Sequence, residues 1–313
     1  MEKIPVLVIV GPTATGKSAL AVEIAMNKNG EIINGDSMQI YKGLNIGTAK
    51  PTQDEMKGIP HHLIGIIEQS ENFNLACYVE LARKKIKDVH NRGKVPILVG
   101  GTGLYIDSVI NNVNLNVVPQ NLKLREDLIK KANVYGLEYL MNMLKKVDEE
   151  AANKIKINDV KRIIRALEIN YITGKNVSDV YKHSNDVPKL YNTFIIGLNY
   201  NNRQLLYQKI NNRVDKMVEL GLIDEAKQLL KNGLSKTSVQ AIGYKELENY
   251  FNNIETLENT IQKIKQNTRR YAKRQLTWFR KNTKINWVNI DEYENFRDVV
   301  NYCLKLLEKF LIK

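Results

Sequence analysis

The chain has 313 residues, which at ~100–200 residues per domain predicts two domains, or one large domain with an insertion. With 43% hydrophobic and 26% charged residues it has the make-up of an ordinary globular protein. No apolar run approaches the ~20 residues of a membrane span, and Val6–Val10 is too short for a signal-peptide core, so a cytoplasmic protein is expected. The 47 basic residues outnumber the 34 acidic ones by 13, an excess that suggests a polyanionic partner if the cations cluster.

Taken in order, Val6–Val10 reads as a buried strand, Ser18–Asn27 as a helix, Glu31–Asn34 as a second strand and His62–Ile67 as a third. A helix over Leu75–His90 and a buried strand over Val95–Gly100 follow. Short apolar strands separated by helices predict a parallel sheet flanked by helices, an α/β fold. From about Asn112 to Leu190 strand-like runs disappear. Leu122–Asn133, Gly136–Lys146 and Asp159–Thr173 show helical spacing, the last with Asn158 or Asp159 to cap it and Gly174 to end it. Residues 113–190 are thus expected to form an inserted all-helical domain, and residues 1–112 and 191–313 the core. Asn192–Asn199 returns to strand character and should rejoin the sheet. Helices near Arg203–Glu219, Ile223–Lys231 and Thr256–Lys281 follow, then a strand over Ile285–Ile290 and a helix over Glu294–Lys313. Cys77 and Cys303 cannot make a zinc site alone and are expected to be reduced, buried thiols.

Gly11-Pro12-Thr13-Ala14-Thr15-Gly16-Lys17-Ser18 fits G-x-x-x-x-G-K-[ST] between a strand and a helix. The glycines let the backbone wrap a phosphate chain, the N–H groups and the helix N-terminus face the anion, Lys17 adds a charge, and the Ser18 hydroxyl can hold Mg²⁺. An ordinary nucleotide hydrolase also needs an Asp at the end of a second apolar strand. Pro96–Val99 instead runs into Gly100-Gly101-Thr102-Gly103, and the nearby strand-end acid is Asp36. In an open α/β sheet the carboxyl ends of the strands meet at the ligand crevice, so the phosphate loop, Asp36 and Thr102 should converge. The residue types alone read Asp36 as a general base or Mg²⁺ partner, and Thr102 as a hydrogen-bond donor to a phosphate oxygen or leaving group. Taken singly, either residue reads first as a capping residue, a reading that their convergence weakens.

The chain resembles the bacterial tRNA dimethylallyltransferases, also called tRNA isopentenyltransferases. The resemblance runs through GPTATGKS (11–18), GDSMQIYKGLNIGTAKP (35–51), HHLI (61–64) and VGGTGLY (99–105). It continues through NDVKRIIRALEI (158–169), NNRVDKMVELGLIDEA (211–226), QAIGYKEL (240–247) and TRRYAKRQLTWFRK (268–281). It departs at Gly65, where many members have Asp, and over Glu68–Tyr78. With two cysteines the chain cannot carry the C-terminal zinc finger of the eukaryotic relatives.

The resemblance implies transfer of a dimethylallyl group from dimethylallyl pyrophosphate to N6 of the adenosine 3′ of the anticodon, in tRNAs reading codons that begin with U. The phosphate loop then holds a prenyl pyrophosphate, with Mg²⁺ as cofactor. Asp36 is implied as the base, with Thr102 and Arg213 assisting. Without the motif, Arg213 reads as an exposed helical residue pairing with Asp215 or Glu219. tRNA contacts are implied for Asp36, Ser37, Met38, Gln39 and Thr102. They are implied for Arg125 and for Lys161, Arg162, Ile163, Ile164 and Arg165 of the insertion. They are also implied for Gln240, Gly243, Tyr244 and Lys245, and for Lys273, Arg274, Gln275, Trp278 and Arg280.

Charge patterning supports an RNA partner. Nine Lys or Arg residues and no acid lie between Ile261 and Lys284, with Lys263, Arg270, Arg274 and Lys281 on one helical side and Tyr271 and Trp278 nearby. Such a stripe can follow phosphates while aromatics stack on unpaired bases, and the target base must leave its stack to be reached. A P-loop kinase, a prenyltransferase acting on free AMP, and a non-enzymatic RNA-binding protein are the competing readings. The extended cationic surface favours tRNA over AMP, and the RNA-binding reading leaves the phosphate loop, Asp36 and Thr102 without a role. His61 and His62 point to opposite faces of a strand and so are expected to pack or hydrogen-bond rather than hold a metal. A monomer is the default.

Overall fold

The computed structural model describes residues 3–113, 118–180, 188–235 and 237–311. The contact pattern divides the chain into two compact units, one running to Ile110 and resuming at Leu190, the other spanning Asn111–Lys189.

The first unit is built on a six-stranded, all-parallel sheet of order β3-β2-β4-β1-β5-β6. Its strands are β1 (Ile4–Val10), β2 (Gly30–Asn34), β3 (His61–His62), β4 (Val95–Gly100), β5 (Tyr191–Asn199) and β6 (Ile285–Asn289). Strand β1 lies between β4 and β5, with Ile9 opposite Val99 on one side and Ile196 on the other. Burial on both faces explains its unbroken apolar run. Helices α1 (Lys17–Lys28), α2 (Gln53–Met56), α3 (Leu75–Asn91) and α4 (Gly103–Ile110) belong to the first half of this unit. Leu20 and Ile24 of α1 pack with Val299, Cys303 and Leu307 of the C-terminal helix (Phe296–Leu311) in one core cluster. A fully buried side chain of this kind contributes roughly 1.5–3 kcal/mol.

The second unit contains helices α5 (Leu122–Tyr135), α6 (Leu137–Val147), α7 (Glu149–Lys154) and α8 (Val160–Thr173). Their core includes Leu128, Leu140, Leu144, Ile163 and Ile169. Asp159 caps α8 by accepting from the Arg162 N–H, and Gly174 ends it in a left-handed conformation. The remaining helices of the first unit are α9 (Arg203–Glu219), α10 (Leu222–Asn232), α11 (Tyr244–Phe251), α12 (Leu257–Phe279) and α13 (Phe296–Leu311).

Four readings of the sequence are corrected. The third strand stops at His62, because Leu63 and Gly65 both take positive φ (62° and 59°), and Ile67 makes an isolated parallel bridge with Tyr41 outside the sheet strands. Helices α2, α4, α7 and α11 lie outside the expected elements. The last helix begins at Phe296 rather than Glu294. Cys303 is buried, but Cys77, at the first turn of α3, is exposed.

Candidate active site

The loops after β1, β2 and β4 lie side by side because those strands are neighbours in the order β2-β4-β1. Close approach depends on glycine. The Gly35 N–H donates to the Val99 carbonyl at 2.6 Å, and a Cβ on Gly100 would lie 2.2 Å from the Gly35 carbonyl oxygen. The phosphate loop turns through Gly11 (φ 140°), Ala14 (φ 67°) and Gly16 (φ 75°). Ala14 adopts this left-handed conformation although it has a Cβ, a local strain typical of functional loops. Thr15 Oγ1 and Lys17 Nζ both donate to the Pro12 carbonyl, at 2.9 and 2.7 Å. Burial, reinforced by the Arg213 charge and opposed by Asp36, brings Lys17 down to about 7.

Asp36 is held from all sides. Asn34 Oδ1 accepts its N–H at 3.0 Å, and Asn34 Nδ2 donates to its carbonyl at 3.0 Å. Its own Oδ1 accepts from Met38 N at 2.8 Å and Gln39 N at 3.4 Å. Oδ2 receives no hydrogen bond among the described residues, so one carboxylate oxygen is fixed and the other is free. Thr102 Oγ1 accepts the Ser37 N–H at 3.1 Å and donates to Ser37 Oγ at 3.3 Å. Burial pushes the Tyr271 phenol well above its ordinary range, so it stays protonated.

The phosphate loop, Asp36–Gln39, the Asn45–Thr52 segment and Arg213 line one cavity of about 940 Å³. Six cationic side chains line it, from Lys17, Lys50, Lys57, Arg213, Lys216 and Arg274, against the carboxylates of Glu23, Asp36 and Glu55. Lys57 is paired with Glu23 at 2.7 Å, which still leaves a positive excess suited to a polyanion. Ser18 is exposed at the mouth of this cavity and its hydroxyl is free of hydrogen bonds among the described residues. No group of three or more His, Cys, Asp or Glu able to hold a metal occurs among the described residues. The Ser18 hydroxyl is an oxygen donor that would suit a Mg²⁺ ion, which takes few protein ligands.

The chain matches the IPP transferase family over residues 39–282. The chain belongs to this family. It is 51% identical over 300 residues to the tRNA dimethylallyltransferase of Caldanaerobacter subterraneus subsp. tengcongensis, covering 95% of each chain. It is 47% identical to that of Halalkalibacterium halodurans, covering 96% of this chain and 97% of the relative. Among solved structures, it resembles the tRNA isopentenylpyrophosphate transferase of Bacillus halodurans with a TM-score of 0.74, 45% identity and coverage of 98% and 96%. It also resembles a eukaryotic dimethylallyltransferase acting on tRNA, with a TM-score of 0.78, 33% identity and coverage of 91% of this chain and 73% of that one. The chain is accordingly a transferase with the α/β fold of the tRNA isopentenyltransferases.

Within this IPP transferase the residues expected at the site divide into two groups. Gly11–Ser18, Asp36 and Thr102 meet as the strand ends require. Arg213 lines the cavity and faces Asp36 and Glu55 rather than pairing with Asp215, which is taken by Lys265 at 2.6 Å. Gln39 lines the cavity too, but its amide is engaged with the Thr48 and Ala49 carbonyls at 3.1 Å. Gln240, Lys245, Lys273, Arg274 and Arg280 are exposed, as are Lys161 and Arg162 on the helical unit.

Others have structural work in place of a surface role. Ile163 and Ile164 are 0% and 6% exposed in the helical core, so their side chains cannot reach a macromolecule. Tyr244 is buried, donates to Glu225 Oε1 at 2.6 Å and accepts from the Gly47 N–H at 3.1 Å. The backbone beside it is equally committed: Gly243 is buried with φ 102°, and its N–H donates to Glu246 Oε2. Gln275 is buried. Arg125 forks onto buried Glu168 at 2.7 and 2.8 Å, and Arg165 binds the same carboxylate. The Trp278 indole donates to Asp107 Oδ2 at 2.6 Å and packs over Gly103, so it is tied to α4 rather than free to stack. The histidines hydrogen-bond as expected, His61 Nδ1 with the Ile59 carbonyl at 2.8 Å and His62 Nε2 with Glu31 at 2.7 Å.

The sequence reading passed over three residues. Asn34 carried a signal, as an Asx residue two positions before Asp36 can bond its backbone. Glu225 accepts the N–H groups of Asn45, Ile46 and Gly47 and so holds the cavity wall from 179 positions away at Ile46, which no local pattern foretells. Lys50 donates to the Tyr41 carbonyl at 2.7 Å inside the cavity, and burial lowers it to about 8.

Proposed function

We propose that this transferase moves a dimethylallyl group from dimethylallyl pyrophosphate to the N6 amine of the adenosine 3′-adjacent to the anticodon in tRNAs reading codons that begin with U. The observation that carries the reading is the free Oδ2 of Asp36 in the same cationic cavity as the phosphate loop. In the reaction, the allylic C–O bond breaks as the N6–C bond forms, pyrophosphate leaves, and the N6 proton passes to Asp36. Donors fixed where charge grows on the leaving oxygens are each typically worth ~2.7–4 kcal/mol. Lys17 and Arg213 line the cavity for that task, joined by the phosphate-loop N–H groups. Thr102, fixed by Ser37, stands beside Asp36 as a further donor. Ser18 would hold a Mg²⁺ ion, which would supply further neutralisation of the leaving group. A positioned carboxylate that orients the amine and accepts its proton contributes typically ~10²–10⁴-fold. The exposed cations Lys273, Arg274 and Arg280 suit the tRNA phosphates, as do Lys161 and Arg162.

Label transfer from radiolabelled dimethylallyl pyrophosphate to unmodified tRNA with Mg²⁺, run beside AMP and beside labelled ATP, tests this. Label in tRNA from the prenyl donor alone is the expected result. Phosphate transfer from ATP with no prenylated tRNA sinks the reading.

A further inference from the structure

Gln275 lies on the inward side of α12, one turn beyond Tyr271, and is 5% exposed. Its amide spans two loops of the site. Oε1 accepts the N–H of Thr13 in the phosphate loop at 2.9 Å, and Nε2 donates to the carbonyl of Gly101 at 2.9 Å. The fit leaves no slack, since a Cβ on Gly101 would lie 2.1 Å from Nε2. The same stretch of α12 presents Lys273 and Arg274 to solvent. The amide is engaged with both loops at the cavity wall, whereas its neighbours Lys273 and Arg274 face solvent.

We propose that Gln275 is a positioning residue for the pyrophosphate site. It sets the distance between the phosphate loop and the Gly100-Gly101-Thr102 turn, so that the cradle for the leaving group and the Thr102 hydroxyl keep one spacing. The amide is suited to this because one donor and one acceptor on a single planar group satisfy two buried backbone groups at once. The role rests on the proposed prenyl transfer only for its consequence in turnover. Its binding consequence is independent of that chemistry.

The test uses the full chain, with inorganic pyrophosphate and Mg²⁺ as the calorimetric probe and tRNA binding measured separately. Gln275→Met keeps the length and removes both hydrogen bonds. It is expected to weaken pyrophosphate roughly tenfold, the factor equivalent to ~1.4 kcal/mol or one neutral hydrogen bond, while tRNA affinity stays at the wild-type value. Unchanged pyrophosphate affinity with weakened tRNA binding overturns the proposal and returns Gln275 to the RNA surface. Should the Met variant not fold, Gln275→Glu decides. A protonated glutamic acid reproduces the donor and acceptor of the amide, and an ionised one does not. The deficit in pyrophosphate affinity relative to wild type must therefore shrink as pH falls, and a deficit independent of pH rejects the role. If wild-type protein binds pyrophosphate but prenylates no tRNA, the functional reading fails while these comparisons still judge Gln275.

Discussion

Asn34 grips the backbone of Asp36 at both ends, accepting its N–H and donating to its carbonyl, each at 3.0 Å. The same amide donates to the Leu63 carbonyl at 3.1 Å, and the Asn34 carbonyl accepts the Tyr78 hydroxyl at 3.0 Å. The turn that carries Asp36 is therefore anchored to the sheet by a buried side chain. Asn34→Ala leaves the Asp36 N–H and carbonyl and the Leu63 carbonyl without this partner, at about 1–3 kcal/mol for each buried one. The expected result is a lower urea midpoint and a kcat reduced ~10-fold or more, with the KM for dimethylallyl pyrophosphate nearly unchanged. A variant with wild-type kcat contradicts the anchoring role.

Asp36→Ala addresses the chemistry itself. The free Oδ2 is the one polar atom of this residue left for the N6 amine, so its removal should cost ~10²–10⁴-fold in single-turnover rate. tRNA affinity in filter binding should change little. Normal turnover in this variant removes Asp36 as the base.

Lys17 couples the pyrophosphate site to pH. Its pKa is depressed to about 7 by burial and Arg213, and a pyrophosphate beside it raises that value by favouring the charged form. The protein therefore takes up a proton on binding at pH above 7, and affinity falls as pH rises through 7 toward the bound pKa. Calorimetry in buffers of different ionisation enthalpy should show uptake approaching one proton at pH 8 and vanishing near pH 6, after subtraction of the same titration with Lys17→Met. Equal proton uptake by the two proteins at pH 8 rules the coupling out.

The parts of this site that were legible in the sequence are those set by neighbours in the chain. The Gly11–Ser18 loop, the strands on either side and the meeting of Asp36 with Thr102 follow from glycine positions and from strand-end geometry. Less legible was which side of a helix faces inward. In the acid-free stretch of α12, Lys273 and Arg274 face solvent while Gln275 turns in, and only its contacts with Thr13 and Gly101 distinguish it. Ile163 and Ile164 show the same limit, since a motif marks the segment but burial selects the residues. Glu225 was illegible because its partners lie far away in sequence.

Glu31 makes the first unit acid-sensitive. Its carboxylate is 1% exposed and meets Arg92 at 2.5 Å, His62 at 2.7 Å and Lys94 at 3.0 Å. The Arg92 hydrogen bonds hold it well below the usual carboxylate range against the cost of burial, with His62 and Lys94 adding to them. A depressed folded-state pKa contributes stability that is present above the unfolded value, ~4.3, and lost as pH falls below it. Glu31→Gln should flatten the fall in melting temperature below that pH and lower the melting temperature at pH 7. An acid limb identical to wild type excludes this cluster as its source.

The arginines of the helical unit separate into two kinds by a salt titration. Arg125 and Arg165 are spent on Glu168, which also accepts the Asn121 N–H at 2.7 Å and is 0% exposed. Arg165 donates further to the Val118 carbonyl at 2.9 Å. Lys161 and Arg162 are exposed, Arg162 with Asp159 at 3.2 Å as its one ion partner among the described residues. A cation that contacts a tRNA phosphate contributes ~0.7–0.9 to the slope of log affinity against log salt. Lys161→Ala and Arg162→Ala should each reduce that slope by about this amount and leave the melting temperature near wild type. Arg165→Lys keeps the charge but loses the planar fork, and should leave the slope unchanged while destabilising the unit. Glu168→Ala strands two guanidinium groups beside the core and should cost about 3–5 kcal/mol. A reduced slope in Arg165→Lys at an unchanged melting temperature would instead make Arg165 an RNA contact, with Glu168 merely holding it in the free protein.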